Sequence, residues 1–172
     1  IVTGEEDESI DAIAVLVGDE LVLTSEDTTK VFKESRAAAN LDVKYLFIQA
    51  KRTPHFETGD ILKFMLGVAT LLESGHRAKD DRLKEFQAIH RTVVANLSRV
   101  SAGRPSCELH YIAPGEWSDE ASRKGKIDTA VKNLEKTGLF QRVLFSPIDR
   151  ESIIKLWMLT RTPVEASFAV KG

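Results

Sequence analysis

Asp11 is the one charged residue in the otherwise apolar run Ile10–Val17 (IDAIAVLV), and Gln49 and Lys51 close a second such run, Val43–Lys51 (VKYLFIQAK). A strand alternates its side chains between faces, so Gln49 and Lys51 fall on one side at a strand's rim, with Phe47 below them. A carboxylate can hold a hard cation, Mg²⁺ or Mn²⁺, against a phosphate, and amide or backbone carbonyl oxygens can extend its shell. Asp11, Gln49 and the Ala50 carbonyl are the candidate metal ligands. An ammonium beside the attacking water lowers that water's pKa or stabilises the charge that develops at phosphorus, which is the role open to Lys51. Asp11, Gln49 and Lys51 could thus supply the parts that a metal-dependent phosphodiesterase needs. The plainer reading is an aspartate at a strand's start and an ordinary polar strand end, and on the residues alone that reading prevails.

Other chemistries lack their motifs. No G-x-x-x-x-G-K-[ST] and no G-x-G-x-x-G after a strand occurs, which excludes a P-loop and the dinucleotide fingerprint. His55, His76, His90 and His110 are scattered, with no zinc spacing. Cys107 and His110 are three apart on one expected strand and so face opposite sides. No G-x-S-x-G elbow is present.

The elements that must carry these residues are legible from periodicity. Ile10–Val17 reads as a strand, Gly18-Asp19-Glu20 as a turn and Leu21–Thr24 as the returning strand of a hairpin. Ser25 is expected to cap a helix running to about Ala39. Val43–Ala50 is the central strand, broken at Thr53-Pro54. A helix from Glu57 or Thr58 to about Ser74-Gly75 carries a wide apolar stripe (Ile61, Leu62, Phe64, Met65, Val68, Leu72) suited to packing on a sheet. Asp80–Val100 reads as a more exposed helix with Leu83, Phe86, His90, Val93, Val94, Leu97 and Val100 inward. Cys107–Ala113 is a strand, Ser118–Thr137 a helix stopped by Gly138, Arg142–Ser146 a strand, Asp149 the cap of a helix to about Thr160, and Pro163–Val170 a closing strand. This order predicts an α/β fold, a mixed sheet flanked by helices and partly antiparallel through its early hairpin.

The chain of 172 residues suits a single domain with a real core, spanning 1–172. A net charge of −2 supplies no global field for nucleic acid, so DNA contact would need local basic patches. The candidates are Lys51, Arg52 and His55; Arg77, Lys79, Arg82 and Lys84; and Arg123, Lys124 and Lys126, although such patches are mostly solvated faces. One cysteine rules out an internal disulfide and fits a reducing, cytoplasmic setting. No apolar run approaches the ~20 residues of a membrane span. The acidic start (Glu5, Glu6, Asp7, Glu8) is the opposite of a signal peptide's basic region. The chain opens on Ile1 and enters a strand almost at once, so it is expected to be a fragment of a longer chain. Trp117 and Trp157 are expected to anchor packing. Glu57 and Asp60 could touch the site, yet acidic residues in a first helical turn are expected on dipole grounds.

Asp11-Ala12-Ile13-Ala14, then Phe47-Ile48-Gln49-Ala50-Lys51, then Phe56-x-x-Gly59-Asp60-Ile61-x-x-Phe64 resembles the N-terminal region of abortive-infection phage-resistance (AIPR) proteins. That region resembles the PD-(D/E)xK restriction-endonuclease-like fold in its Mrr-like Q-x-K variant. The resemblance covers roughly residues 8–75. It implies a metal-dependent endonuclease acting on DNA in phage defence, with Asp11 as the metal-binding aspartate, Gln49 at the place usually held by Glu or Asp, and Lys51 as the catalytic lysine. Pairing of two copies, a homodimer, is a further implication of the fold. The family often has glycines where this chain has Ser9 and Ala12, and usually an acidic residue on a helix ahead of the first strand, a helix this chain does not include. The alternative is a catalytically inert domain of the same fold used for DNA binding or protein interaction. The neutral Gln49, the missing acidic helix and the lack of global basic charge favour it. A third reading, an α/β enzyme acting on a small molecule, would need a deep apolar pocket away from Asp11.

Overall fold

The computed structural model describes residues 9–36, 40–73, 81–118 and 120–161. Its strands are β1 (Ala12–Val17), β2 (Glu20–Val22), β3 (Val43–Ala50), β4 (Ser106–Ile112) and β5 (Arg142–Ile148). Its helices are α1 (Ser25–Glu34), α2 (Thr58–Leu72), α3 (Asp81–Ala95), α4 (Ala121–Lys136) and α5 (Arg150–Leu159). The strands form one five-stranded mixed sheet in the order β2-β1-β3-β4-β5, flanked by helices. β1 is antiparallel to both its neighbours, while β3, β4 and β5 run parallel. Gly18, at φ 63°, makes the tight β1–β2 turn that a residue with a Cβ would resist. The parallel neighbours of β3 and β4 are joined through helices, as a parallel connection requires.

One face of the sheet makes the core. Every buried residue of β1, β3 and β4 sits at an odd-numbered position, from Ile13 and Val15 through Tyr45 and Phe47 to Leu109 and Tyr111. Tyr45 and Phe47 meet Phe86 of α3 edge-on, and Tyr111 meets Phe64 of α2. Tyr45 Oη also reaches His90 Nδ1 at 3.0 Å, so this buried phenol is satisfied by the helix above it. The even-numbered face is half-buried or exposed. It carries a polar ladder in which Glu108 pairs with Lys44 at 2.9 Å and with His110 Nε2 at 3.2 Å.

Several boundaries differ from those the sequence predicts. Asp11 stands just ahead of β1, tied to β3 by its backbone N–H to the Ile48 carbonyl at 2.8 Å. Thr24, not Ser25, caps α1: its hydroxyl accepts from the Asp27 N–H while the Asp27 carboxylate accepts from the Thr24 N–H, a reciprocal capping box. The helix ends at Glu34, because Ser35 is already extended. α3 stops at Ala95 and the chain continues as a short 3-10 turn over Leu97–Arg99; within the helix Ile89, three residues after Phe86 and four before Val93, lies on the buried stripe, while Val94 is exposed. α4 begins at Ala121, and β5 extends to Ile148 through its pairing with β4. Asp149 does cap α5, accepting from the Ser152 N–H at 2.9 Å. Trp117 packs edge-on against Phe56, as an anchor should, whereas Trp157 is 53% exposed on α5 with Arg161 stacked on it. The expected strand Pro163–Val170, the helix end at Ser74-Gly75, Arg77, Lys79 and the acidic residues 5–8 lie outside the described residues. Among the described residues no helix is long and apolar enough to cross a membrane.

Candidate functional site

The antiparallel pairing of β1 and β3, with Ala12 opposite Ile48, sets the start of one strand beside the end of the other. Asp11 and Gln49 are therefore neighbours although 38 residues separate them. Asp11 Oδ2 accepts from Gln49 Nε2 at 2.8 Å and from the Ala50 N–H at 2.6 Å. A carboxylate has no proton to give, so the amide must turn its NH₂ toward Asp11. Gln49 shares the buried face with Phe47 and is 6% exposed. Its other end, Oε1, is buried with no hydrogen-bond partner.

Lys51 lies one residue beyond β3. Its backbone N–H donates to the Ile112 carbonyl at 2.8 Å, which holds it against the end of β4. Its ammonium lies 3.4 Å from Asp60 Oδ2 in the first turn of α2, and both side chains remain partly in solvent. Asp60 thus has a specific partner beyond the helix dipole. Glu57 precedes the helix without a side-chain capping bond. Arg52 and His55 are exposed on the loop that follows Lys51. Of the remaining basic candidates, Lys84 pairs with Asp81 at 2.7 Å, and Arg123 is held by Ser118, Glu120 and the Trp117 ring.

Tyr111 joins this end of the sheet and was not visible as a site residue in the sequence. It stands directly opposite Gln49 in the β3–β4 register. Its ring is held by Phe56 at 5.9 Å and Phe64 at 6.4 Å, and its hydroxyl is buried without a partner. Burial, then the charges of Asp60 and Glu57, push the phenol up to about 12, so it keeps its proton at neutral pH. The alternation of β4 places Tyr111 on the same face as Cys107, but nothing in one strand announces which strand it will lie against.

Ser9, two residues before Asp11, adopts a left-handed backbone at φ 53°. That region favours glycine, because a Cβ crowds the neighbouring carbonyl there.

The donors here suit a hard cation in kind: the Asp11 carboxylate and the unpartnered Gln49 Oε1 are both oxygens. They are sparse in charge. Among the described residues no group of three or more His, Cys, Asp or Glu side chains could hold a metal ion. Elsewhere, an open cleft of about 290 Å³ lies between α4 and β5, lined by Trp117, Lys124, Ile127, Val131, Phe145 and others. It includes none of the residues gathered around Asp11. Cys107 is buried, which pushes its thiol well up and leaves no reactive thiolate.

The fold and site define an α/β protein whose mixed sheet gathers a carboxylate, an amide and an ammonium at one end. No protein-family model, no curated protein and no solved structure matches the chain.

Proposed function

We propose that this chain is a nuclease domain of restriction-endonuclease-like fold that hydrolyses DNA phosphodiester bonds with Mg²⁺ or Mn²⁺, in the phage-defence setting of the AIPR proteins it resembles. The observation that carries the reading is the bonded unit of Asp11, Gln49 and Ala50, with Lys51 at the next position and its ammonium turned to Asp60. Ser9, a departure from the glycines the resembled family often has around this aspartate, nevertheless adopts the left-handed backbone that glycine favours.

The Asp11 carboxylate, Gln49 Oε1 and the Ala50 carbonyl are the oxygens that would hold the cation. When bound, the cation supplies Lewis-acid polarisation of the phosphate. Lys51, brought to the rim by β3, stabilises charge developing at phosphorus and orients water, while Asp60 holds its ammonium in place. Arg52 and His55, exposed beside it, suit the phosphate backbone. Two copies acting together would cut both strands.

The inert reading, a domain of this fold that binds DNA or protein without cutting, has its own support. Asp11 Oδ2 is already filled by two N–H donors, and Lys51 already has an acidic partner. Supercoiled plasmid with Mg²⁺ or Mn²⁺ separates the two. The nuclease reading expects nicking that EDTA stops and that Lys51→Ala lowers at least about hundredfold. DNA retention without nicking, equal in wild type and Lys51→Ala and indifferent to metal, selects the inert domain.

A further inference from the structure

The stretch from Lys51 to Phe56 crosses from the end of β3 toward α2 as a strap pinned at three points. Lys51 donates its backbone N–H to the Ile112 carbonyl at 2.8 Å. Phe56, 5% exposed, packs its ring on Trp117 at 5.1 Å and on Tyr111 at 5.9 Å. Between these two pins, Pro54 lies directly on Gly115 in the loop that follows β4. A Cβ at Gly115 would overlap the Pro54 carbonyl oxygen and stand 2.7 Å from the carbon that bears it. Only glycine admits two backbones at so close an approach.

The pins use backbone and rings, and leave Arg52 and His55 exposed between them. Gly115 is itself tied down, because its carbonyl accepts from the Arg150 N–H at 3.0 Å. The strap therefore presents a guanidinium and an imidazole at set positions, just past the Ala50 N–H that Asp11 holds. Groups already held in their bound arrangement lose little freedom on binding, which favours affinity.

We propose that Gly115 is a positioning residue for DNA: by admitting the Pro54 carbonyl it seats the strap, and the seated strap sets Arg52 and His55 against the phosphate backbone. The inference rests on the DNA-binding part of the function proposed above and needs no cleavage. A methyl at Gly115 cannot fit while Pro54 stays in place. The exposed strap yields before the buried Phe56 does, and Arg52 and His55 lose their positions.

Fluorescence anisotropy of a labelled DNA duplex with the full chain in EDTA, over a range of salt, reads affinity and phosphate contacts without turnover. Arg52→Ala should make the plot of log affinity against log salt shallower by about one phosphate contact. Gly115→Ala should bind about tenfold more weakly and show the same shallower slope. Protein that merely folds less well loses active molecules and keeps the wild-type slope. Adding Gly115→Ala to Arg52→Ala should change little further, since both act through one strap. Should a melt show that Gly115→Ala does not fold, Pro54→Gly loosens the strap without a clash and carries the same test. Wild-type affinity and slope in the folded strap variant, while Arg52→Ala is impaired, overturn the role of Gly115 and leave the DNA contact standing. Arg52→Ala indistinguishable from wild type overturns the strap as a phosphate contact. Wild type that retains no DNA overturns the DNA-binding reading and this inference together.

Discussion

Asp11→Ala tests whether the site is a bonded unit. In the wild type Asp11 Oδ2 accepts from Gln49 Nε2 at 2.8 Å and from the Ala50 N–H at 2.6 Å. The two losses differ. Ala50 is exposed, so its N–H regains water and little is lost. Gln49 is 6% exposed, and its Oε1 already lacks a partner, so removing Asp11 strands the second end of a buried amide. A buried donor left unpaired costs about 1–3 kcal/mol. The central expectation is a loss of about 2 kcal/mol, or a fall of about 4–8 °C in melting temperature for a chain of this size. Asp11→Asn retains an oxygen that can accept from Gln49 Nε2 and should lose about half as much. Urea unfolding at neutral pH, followed by tryptophan fluorescence with the slope checked for constancy, measures both variants. Asp11→Ala within about 0.5 kcal/mol of wild type would refute the reasoning, because a surface aspartate without structural bonds gives that result.

Two further outcomes follow from the same structure. Burial, and then the charge of Arg91, hold His90 below its ordinary value of 6.5. The unfolded chain therefore gains a proton near that pH which the folded chain refuses, so stability is full above it and falls as pH drops toward the depressed folded value. His90→Gln still offers Tyr45 Oη a partner and should flatten that limb; an unchanged slope of unfolding free energy between pH 5 and 7 would remove His90 as its source. Ser9→Gly relieves the left-handed backbone at φ 53°, and after the glycine's greater freedom in the unfolded chain is counted it should gain about 0.5–1 kcal/mol. A net loss in thermal melts would show that Ser9 is held by contacts beyond its backbone.

The electrostatics of the two sheet faces differ in kind. On the open face, Glu108 lies below the ordinary glutamate range, chiefly through its hydrogen bond from Lys44 and then through His110. That ladder is partly solvated, so it shapes local charge more than it stabilises the fold. Buried polar atoms without a partner occur on both faces, Gln49 Oε1 and Tyr111 Oη on the core side and His110 Nδ1 on the open side.

Short-range physics made most of the elements legible in the sequence. Apolar runs bounded by Gly18, Pro54 and Gly138 mark the strands and turns, and β3 spans Val43–Ala50 as its pattern predicts. The cap at Asp149 and the wide stripe of α2 follow from one side chain's reach and one helix's period. Alternation also placed Gln49 on the Phe47 face. The boundaries that moved did so at helix ends: the reciprocal Thr24–Asp27 box, itself a local pattern, displaced Ser25 as a cap, and a 3-10 turn follows the end of α3 at Ala95.

What no local pattern contains is which strand lies beside which. Strand order and register are chosen by how buried faces pack once the chain is closed on itself, and they involve residues far apart. Only the tertiary structure set Asp11 against Gln49 across 38 residues, turned Asp60 toward Lys51, and laid Tyr111 opposite the Gln49 amide. The sequence by itself marked Asp11, Gln49 and Lys51 as candidates and laid out the elements beside them, while Tyr111 went unmarked. The packing of β1 and β4 on either side of β3 decided that they meet.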